Sequence, residues 1–352
     1  MAAPPLRFYL GTYTKTGSKG IYTVTLDPAT GALSAPEVAA EAGNPTYLAI
    51  SPDRAFLYAV ADREAMAAAY AVDPASGRLQ ALPAAASPPT PATCYVAVDR
   101  TRRVLVAAHY HKALVAALAI RADGTLGPPQ IIAHSGRGLD PKRQESAHVH
   151  SAVISPDNRF VLVCDLGLDR IYSYRLDVDR AQLAPIDPPY CSAAPGSGPR
   201  HLVFSPDARR AYVTNELANT VSVYDYDAAR GTLAHRQSLS TLPAGFAGQN
   251  TAAEIALHPN GRFLYASNRG HDSIAVFPHD PADGSLGAPE FFPAGGRTPR
   301  GFALSGDGRW LVCSHQDSGT VCSFRLDPAT GRLARVEGAG SLPTPVGVHF
   351  YA

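Results

Sequence analysis

Six side chains in this chain combine the right types and spacings to do chemistry on a small charged molecule: His148, His150, Arg200, Glu216, Arg269 and Arg300. A neutral imidazole takes a proton from water near neutral pH, and such general-base help is worth about 10²–10⁴-fold in rate. A guanidinium fork grips a phosphate or carboxylate through two parallel hydrogen bonds. A carboxylate can accept a proton or orient the group that does. Taken singly, each residue has an ordinary structural explanation, because a lone arginine is usually a solvated charge and a histidine in a strand is usually a hydrogen-bonded fixture. The grouping points to a small anionic ligand, and an imidazole within reach of a bound ester and a water could activate that water. His150, His148 and Glu216 are the candidate catalytic residues, with the choice between the two histidines left open, and Arg200, Arg269 and Arg300 are the candidate substrate-binding residues.

Other chemistries find no support. The sequence has no Gly-x-Ser-x-Gly elbow, Walker loop, dinucleotide fingerprint or His-Glu-x-x-His. His109 and His111 alternate as metal ligands can, but no third ligand is committed to them, so no metal and no organic cofactor is expected. Lys plus Arg number 31 against 30 Asp plus Glu, which gives no bulk attraction to nucleic acid or to an anionic membrane. The five cysteines are an odd number without zinc or redox spacing, which favours a reducing compartment, and Cys164 and Cys313 lie in apolar runs that suit buried thiols. The segment MAAPPLR carries no apolar stretch of secretory type and no membrane-length apolar run occurs, so a cytoplasmic location is expected, compatible with a monomer.

The elements that must position these residues come from a repeat. Variants of RHLVFSPDARRAYVTNELANTVSVYDYD, which begins at Arg200, recur at roughly fifty-residue steps, the signature of a radially repeated β architecture. Each unit reads as an apolar strand, a tight polar turn, a second strand, a loop and a third strand. The turn between the first two strands recurs at Ser51-Pro52-Asp53, Val98-Asp99-Arg100, Ser155-Pro156-Asp157, Ser205-Pro206-Asp207, His258-Pro259-Asn260 and Ser305-Gly306-Asp307. An outer turn recurs as LDPATGALS, VDPASGRLQ, HDPADGSLG and LDPATGRLA, with a Gly four residues after the Asp that suits a left-handed backbone. The N-terminal segment starts at the second strand of a unit, and the C-terminal PVGVHFYA matches the missing first strand. The fold expected is therefore all-β, a seven-bladed propeller formed by residues 1–352 as one domain, with the two terminal strands sharing a blade.

In such a hairpin the entrance of the first strand and the exit of the second lie at one end. That filter collects Asn44 to Tyr47 with Asp62 and Arg63, Thr93 and Tyr95 with His109 and His111, and His148 and His150 with Asp165. It continues with Arg200 and His201 beside Asn215 and Glu216, Glu254 beside Asn268 and Arg269, Arg300 beside His315 and Gln316, and Val346 with Thr12 and Tyr13. One face is expected to be rich in imidazole, guanidinium and carboxylate, with Arg200, Arg269 and Arg300 converging on one sector of a central channel.

The combination HVHSAVISPDNRF, GPRHLVFSPDARRAYVTNE, SNRG and TPRGFALSGDGRW resembles the seven-bladed lactonase family that contains the propeller-type 6-phosphogluconolactonases of bacteria and the fungal carboxy-muconate cyclases. The likeness covers nearly the whole chain. It implies hydrolysis of a sugar-phosphate lactone or, in the cyclase branch, reversible lactone formation, in either case without metal or organic cofactor. By motif it implies that the catalytic histidine is His150 or His148, the anion-holding arginines Arg200 and Arg300, and the acidic residue Glu216, with Arg269 in SNRG a looser match. The Ala-rich DREAMAAAYAVD and the VDRTRR turn depart from the family pattern. A propeller serving as a non-enzymatic interaction platform is the alternative outside enzymology, and it would call for apolar residues on the face instead of charge.

Overall fold

The computed structural model describes residues 3–61, 66–84, 93–338 and 340–351; Asp62 and Arg63, grouped above with Asn44 to Tyr47, lie outside the described residues. The described elements are strands, and none is a helix long and apolar enough to cross a membrane. They form seven antiparallel sheets, the seven blades expected from the repeat. Blade 1 orders Pro345–Phe350, Leu6–Thr12, Gly20–Leu26 and Glu37–Glu41, so the two terminal strands pair, Phe8 opposite Phe350 and Leu10 opposite Val348. Blades 2 to 7 follow in chain order, each starting at its inner strand: Leu48–Ile50, Thr93–Val98, Val149–Ile154, Pro199–Phe204, Thr251–Leu257 and Pro299–Leu304.

The chain divides into two compact units. One comprises Met1–Thr46, Asn219–Val221 and Leu239–Ala352 and holds blades 1, 6 and 7; the other comprises Tyr47–Ala218 and Ser222–Ser238 and holds blades 2 to 5.

Burial grades along each blade. The second strands Val104–His109, Phe160–Asp165 and Trp310–His315 are buried at every residue, which is why they read as apolar runs with polar residues only at the end, whereas the fourth strand Gln182–Ser192 is largely exposed. The cores lie between neighbouring blades. Val104, Val106, Val161 and Val163 join blades 3 and 4, and Phe263, Tyr265, Leu311 and Phe324 join blades 6 and 7.

The outer-turn glycines fasten one blade to the next. Gly31 and Gly331 adopt φ of +80° and +72°, and a Cβ at either would lie 2.2 Å from Trp310 or 2.5 Å from Phe263. The carbonyl of Gly31 accepts from Ser323 Oγ at 2.6 Å, and that of Gly331 from Tyr265 Oη at 3.0 Å. The Asp-Pro turn thus requires glycine twice over, for its left-handed backbone and for an aromatic ring pressed against it.

Candidate active site

A β-bulge recurs at the entrance of the inner strands. In blade 4 Val149 faces Asp165 and Ser151 faces Cys164, leaving His150 as the extra residue. In blade 5 the same slip falls at Arg200, in blade 7 at Arg300 and in blade 3 at Cys94. A bulge turns its extra side chain away from the regular alternation, and such slips concentrate beside functional sites. Three of the six candidate residues therefore occupy one structural position in three different blades.

Opposite each bulge the second strand ends in a polar residue that ties the blade down. Asp165 accepts from the backbone N–H of His148 at 2.9 Å and of Leu168 at 3.1 Å, and lies 2.7 Å from His134 Nδ1. His109 lies 3.3 Å from Thr93 Oγ1, and Asn268 donates to Thr241 O at 2.6 Å. His315 sits between the carbonyls of Thr320 and Ala294, and burial holds its imidazole below the usual histidine range. These residues were grouped with the site by the hairpin filter, but their bonds are those of structural anchors. The next residue along is Tyr110 after His109, Glu216 after Asn215 and Arg269 after Asn268.

Within the unit of blades 2 to 5, four of the six candidates are placed in blades 4 and 5. Glu216 spans two guanidinium groups, with Oε2 3.1 Å from Arg200 Nε and Oε1 2.5 Å from Arg143 Nη2. Its own backbone N–H donates to Gly198 O at 2.7 Å, which fixes the turn that presents it. The Tyr110 hydroxyl lies close enough to Arg143 to contribute to its electrostatics. Burial works against the Arg143 charge, but Glu216 and Tyr110 more than offset it and hold the guanidinium above its usual range; burial likewise raises the Tyr110 phenol.

Tyr110 connects this ion cluster to both histidines. Its ring stacks on His148 at 4.3 Å and 7° and meets His150 edge-on at 5.7 Å. His148 Nδ1 lies 3.2 Å from Tyr110 O and Nε2 lies 3.1 Å from Glu145 Oε1. Both ring nitrogens of His148 thus face oxygen atoms. His150 instead faces His201 at 5.1 Å, and His201 lies against Tyr95 and Tyr47, themselves stacked at 4.3 Å.

Arg269 and Arg300 belong to the unit of blades 1, 6 and 7. Arg269 caps the entrance of its own inner strand, donating to Ala252 O at 3.1 Å. The Arg300 guanidinium lies over the Tyr13 ring, 5.6 Å from its centroid. Among the described residues no group of three or more His, Cys, Asp or Glu could hold a metal ion. The five cysteines are free, and burial pushes the Cys164 thiol up to about 12.

Arg143, Glu145 and the role of Tyr110 were not evident from the sequence. Arg143 and Glu145 lie in the connection between blades 3 and 4, where no repeat offers a template; the one available signal was the charged run PKRQES in a connection longer than its neighbours.

Comparison with known proteins places the chain in one group. The family model Lactonase, 7-bladed beta-propeller, matches residues 7–350. A curated relative, the 6-phosphogluconolactonase of Bacillus subtilis, is 38% identical over 295 residues, which cover 83% of each chain. The 6-phosphogluconolactonase of Cronobacter sakazakii is 32% identical over 74% of each. Among solved structures, the periplasmic gluconolactonase of Pseudomonas aeruginosa superimposes with a TM-score of 0.92 at 35% identity, covering 99% of both chains.

Proposed function

The chain belongs to the seven-bladed β-propeller lactonase family, and from that premise we propose that it hydrolyses an aldonolactone, with the phosphorylated six-carbon lactone the preferred substrate. The observation that carries the reading is the Arg200–Glu216–Arg143 bridge, with Tyr110 between Arg143 and His150. Two guanidinium groups converge on a single carboxylate there, and a guanidinium fork suits a substrate phosphate or carboxylate.

In the proposed reaction His150 removes a proton from a water as its oxygen attacks the lactone carbonyl carbon. The carbonyl oxygen becomes the oxyanion of a tetrahedral intermediate, an arginine or backbone N–H donates to it, and each such donor is worth about 2.7–4 kcal/mol in the transition state. Collapse re-forms the carbonyl and breaks the ring C–O bond, and the departing alkoxide takes the proton held by His150. The product is the open hydroxy acid. Glu216, gripped through both oxygens, acts by fixing its two arginines, and His148 acts by holding Tyr110. Arg300, at the bulge position that Arg200 occupies in its own blade, and Arg269 are proposed to serve the substrate anion as well.

The test is hydrolysis of freshly generated 6-phosphogluconolactone, corrected for its spontaneous opening, by the wild type, Arg200→Ala and His150→Ala. Rates at the level of the wild type in both variants would remove this site from consideration. Turnover of an unsaturated tricarboxylate with no lactone hydrolysis would move the chain to the cyclising branch.

A further inference from the structure

The turn between the second and third strands carries a residue at positive φ in each of blades 3 to 7: Ala113, Asp169, Asn219, Asp272 and Gly319, at +51°, +52°, +55°, +54° and +63°. Each accepts through its carbonyl, at 2.8–2.9 Å, from the N–H of the residue that follows the outermost strand: His134, Ala193, Thr241, Ala294 and Leu342. The turn therefore needs a left-handed backbone and a carbonyl, and it tolerates Ala and Gly as well as Asp and Asn.

Asp169 uses its buried side chain for something that this turn does not require. Oδ1 accepts from Gln144 Nε2 and from the N–H of Gly198, each at 2.8 Å, and Oδ2 accepts from the N–H of Gly196 at 2.6 Å. Two segments distant in sequence meet on that one carboxylate. On one side, Gln144 is fully buried and uses its whole amide: Oε1 accepts from the N–H groups of Leu139 and Asp140, each at 3.1 Å, and Nε2 also donates to Leu166 O at 2.8 Å. The backbone beside it carries Arg143. On the other side, Gly198 O accepts from the N–H of Glu216 at 2.7 Å, and Ser197 O accepts from those of Leu217 and Ala218, each at 3.1 Å. Arg143 and Glu216 are 73 positions apart, yet the backbones that present them are referred to the same carboxylate.

We infer that Asp169 is a positioning residue of the site proposed above: its carboxylate holds the Gln144 and Gly198 segments in one frame and so fixes where the Arg143 guanidinium meets Glu216. An arginine has many rotamers, and it meets a carboxylate reproducibly only where both backbones are held. Ala113, in the same turn position of blade 3, shows that the turn forms without a carboxylate, so Asp169→Ala removes the link and keeps the turn.

This role rests on the lactonase reading, and two measurements keep the two failures apart. The first needs no substrate. A cycle of Arg143→Ala and Glu216→Gln, read by urea unfolding, gives the coupling of the pair, and it is repeated with Asp169→Ala present. The coupling is expected to fall by at least half. A residue that only stabilised the turn would lower all four stabilities alike and leave the coupling intact; that result, or no coupling in the wild-type background, overturns the inference. Should Asp169→Ala fail to fold, Asp169→Asn and Gln144→Met replace it in the same cycle, and an unchanged coupling in both overturns it equally. The second measurement is kcat/KM on 6-phosphogluconolactone, expected to fall at least tenfold in Asp169→Ala, with Asp169→Asn, which keeps an oxygen for Gln144 and Gly198, between it and the wild type. An unchanged kcat/KM in an active enzyme overturns the inference and leaves the lactonase reading standing. A wild type that hydrolyses no lactone, with the coupling still lost in Asp169→Ala, removes that reading and sustains the positioning of the pair.

Discussion

The two ends of the inner hairpins follow opposite rules. At the turn end of blades 2, 4, 5 and 7 one serine makes the same pair of bonds four times: Ser51, Ser155, Ser205 and Ser305 donate to Asp53, Asp157, Asp207 and Asp307 at 2.5–2.6 Å. Each also accepts the N–H that opens the second strand, at 2.9–3.0 Å. At the bulge end the equivalent residue is Cys94, His150, Arg200 or Arg300, different in nearly every blade. Where a repeated position keeps its chemistry, the chemistry serves folding. Where a repeated geometry carries different chemistry, the geometry is a socket open to different occupants, three of which the proposed reaction uses.

The sharpest way to break that contrast is to change one residue at each end of blade 4. His150→Ala is expected to lower kcat by about 10²–10⁴-fold on the lactone substrate. Ser155→Ala, at the turn, should leave kcat unchanged and lower unfolding stability by about 0.5–1.5 kcal/mol in urea titration. Should Ser155→Ala cost more activity than His150→Ala, the division between the ends is wrong.

The bulge end is not indifferent to stability, because its charges are buried. Arg200→Met removes one of two guanidinium groups from a carboxylate that is 5% exposed and still held by Arg143, so its cost should fall below the about 3–5 kcal/mol of a fully broken buried pair. The double variant with Glu216→Gln should recover part of that loss, since it removes the charge that Arg143 alone is left to balance. If the single and double variants unfold at the same denaturant concentration, the pair is not coupled as the 3.1 Å contact implies.

Outer turns sharpen the contrast with a smaller effect. Gly31→Ala must place a methyl group at positive φ against Trp310, for about 2–3 kcal/mol. Gly261 also has positive φ, +69°, but nothing within 4 Å of a new Cβ, so Gly261→Ala isolates the backbone cost at about 1 kcal/mol. Equal losses would show that the ring contact contributes nothing.

The same contrast explains what could be read from the residues alone. Seven blades, their turns and the shared terminal blade were legible because each signal recurs and each recurrence has one physical cause. Arg200 and Glu216 were legible as neighbours because the length of a hairpin sets their spacing. His109, Asp165, Asn268 and His315 were harder: one residue separates an anchor from a site position at the strand exit, and only the bulge register shows which side of it a residue lies on. Arg143 stood outside any repeat, so nothing in the periodic pattern pointed to it. Its position depends on the buried amide of Gln144, a contact that no spacing encodes.

Blade 3 tests the rule where its turn departs from the others. Asp99 stands where Ser51 and Ser155 stand, and its one carboxylate does the work of both serine and aspartate. It accepts from the N–H groups of Thr101 at 2.8 Å, Arg103 at 2.5 Å and Val104 at 2.7 Å, and from Asn158 Nδ2 at 3.0 Å. Burial opposes the charge, but these bonds and the Thr101 hydroxyl outweigh it and hold the Asp99 carboxyl below its ordinary value of 3.8. A carboxyl depressed in the folded state binds fewer protons there than in the unfolded chain. Its contribution is therefore complete above the unfolded value and is lost as pH falls below 3.8 through the folded value. Asp99→Asn keeps the shape and cannot ionise, so it should cost about 1–2 kcal/mol at pH 7. The gap between wild type and variant should stay constant from pH 7 to about 5 and close progressively at lower pH, as read by urea unfolding at each pH. A gap that widens on acidification would mean that the turn is held by something other than the ionised carboxylate.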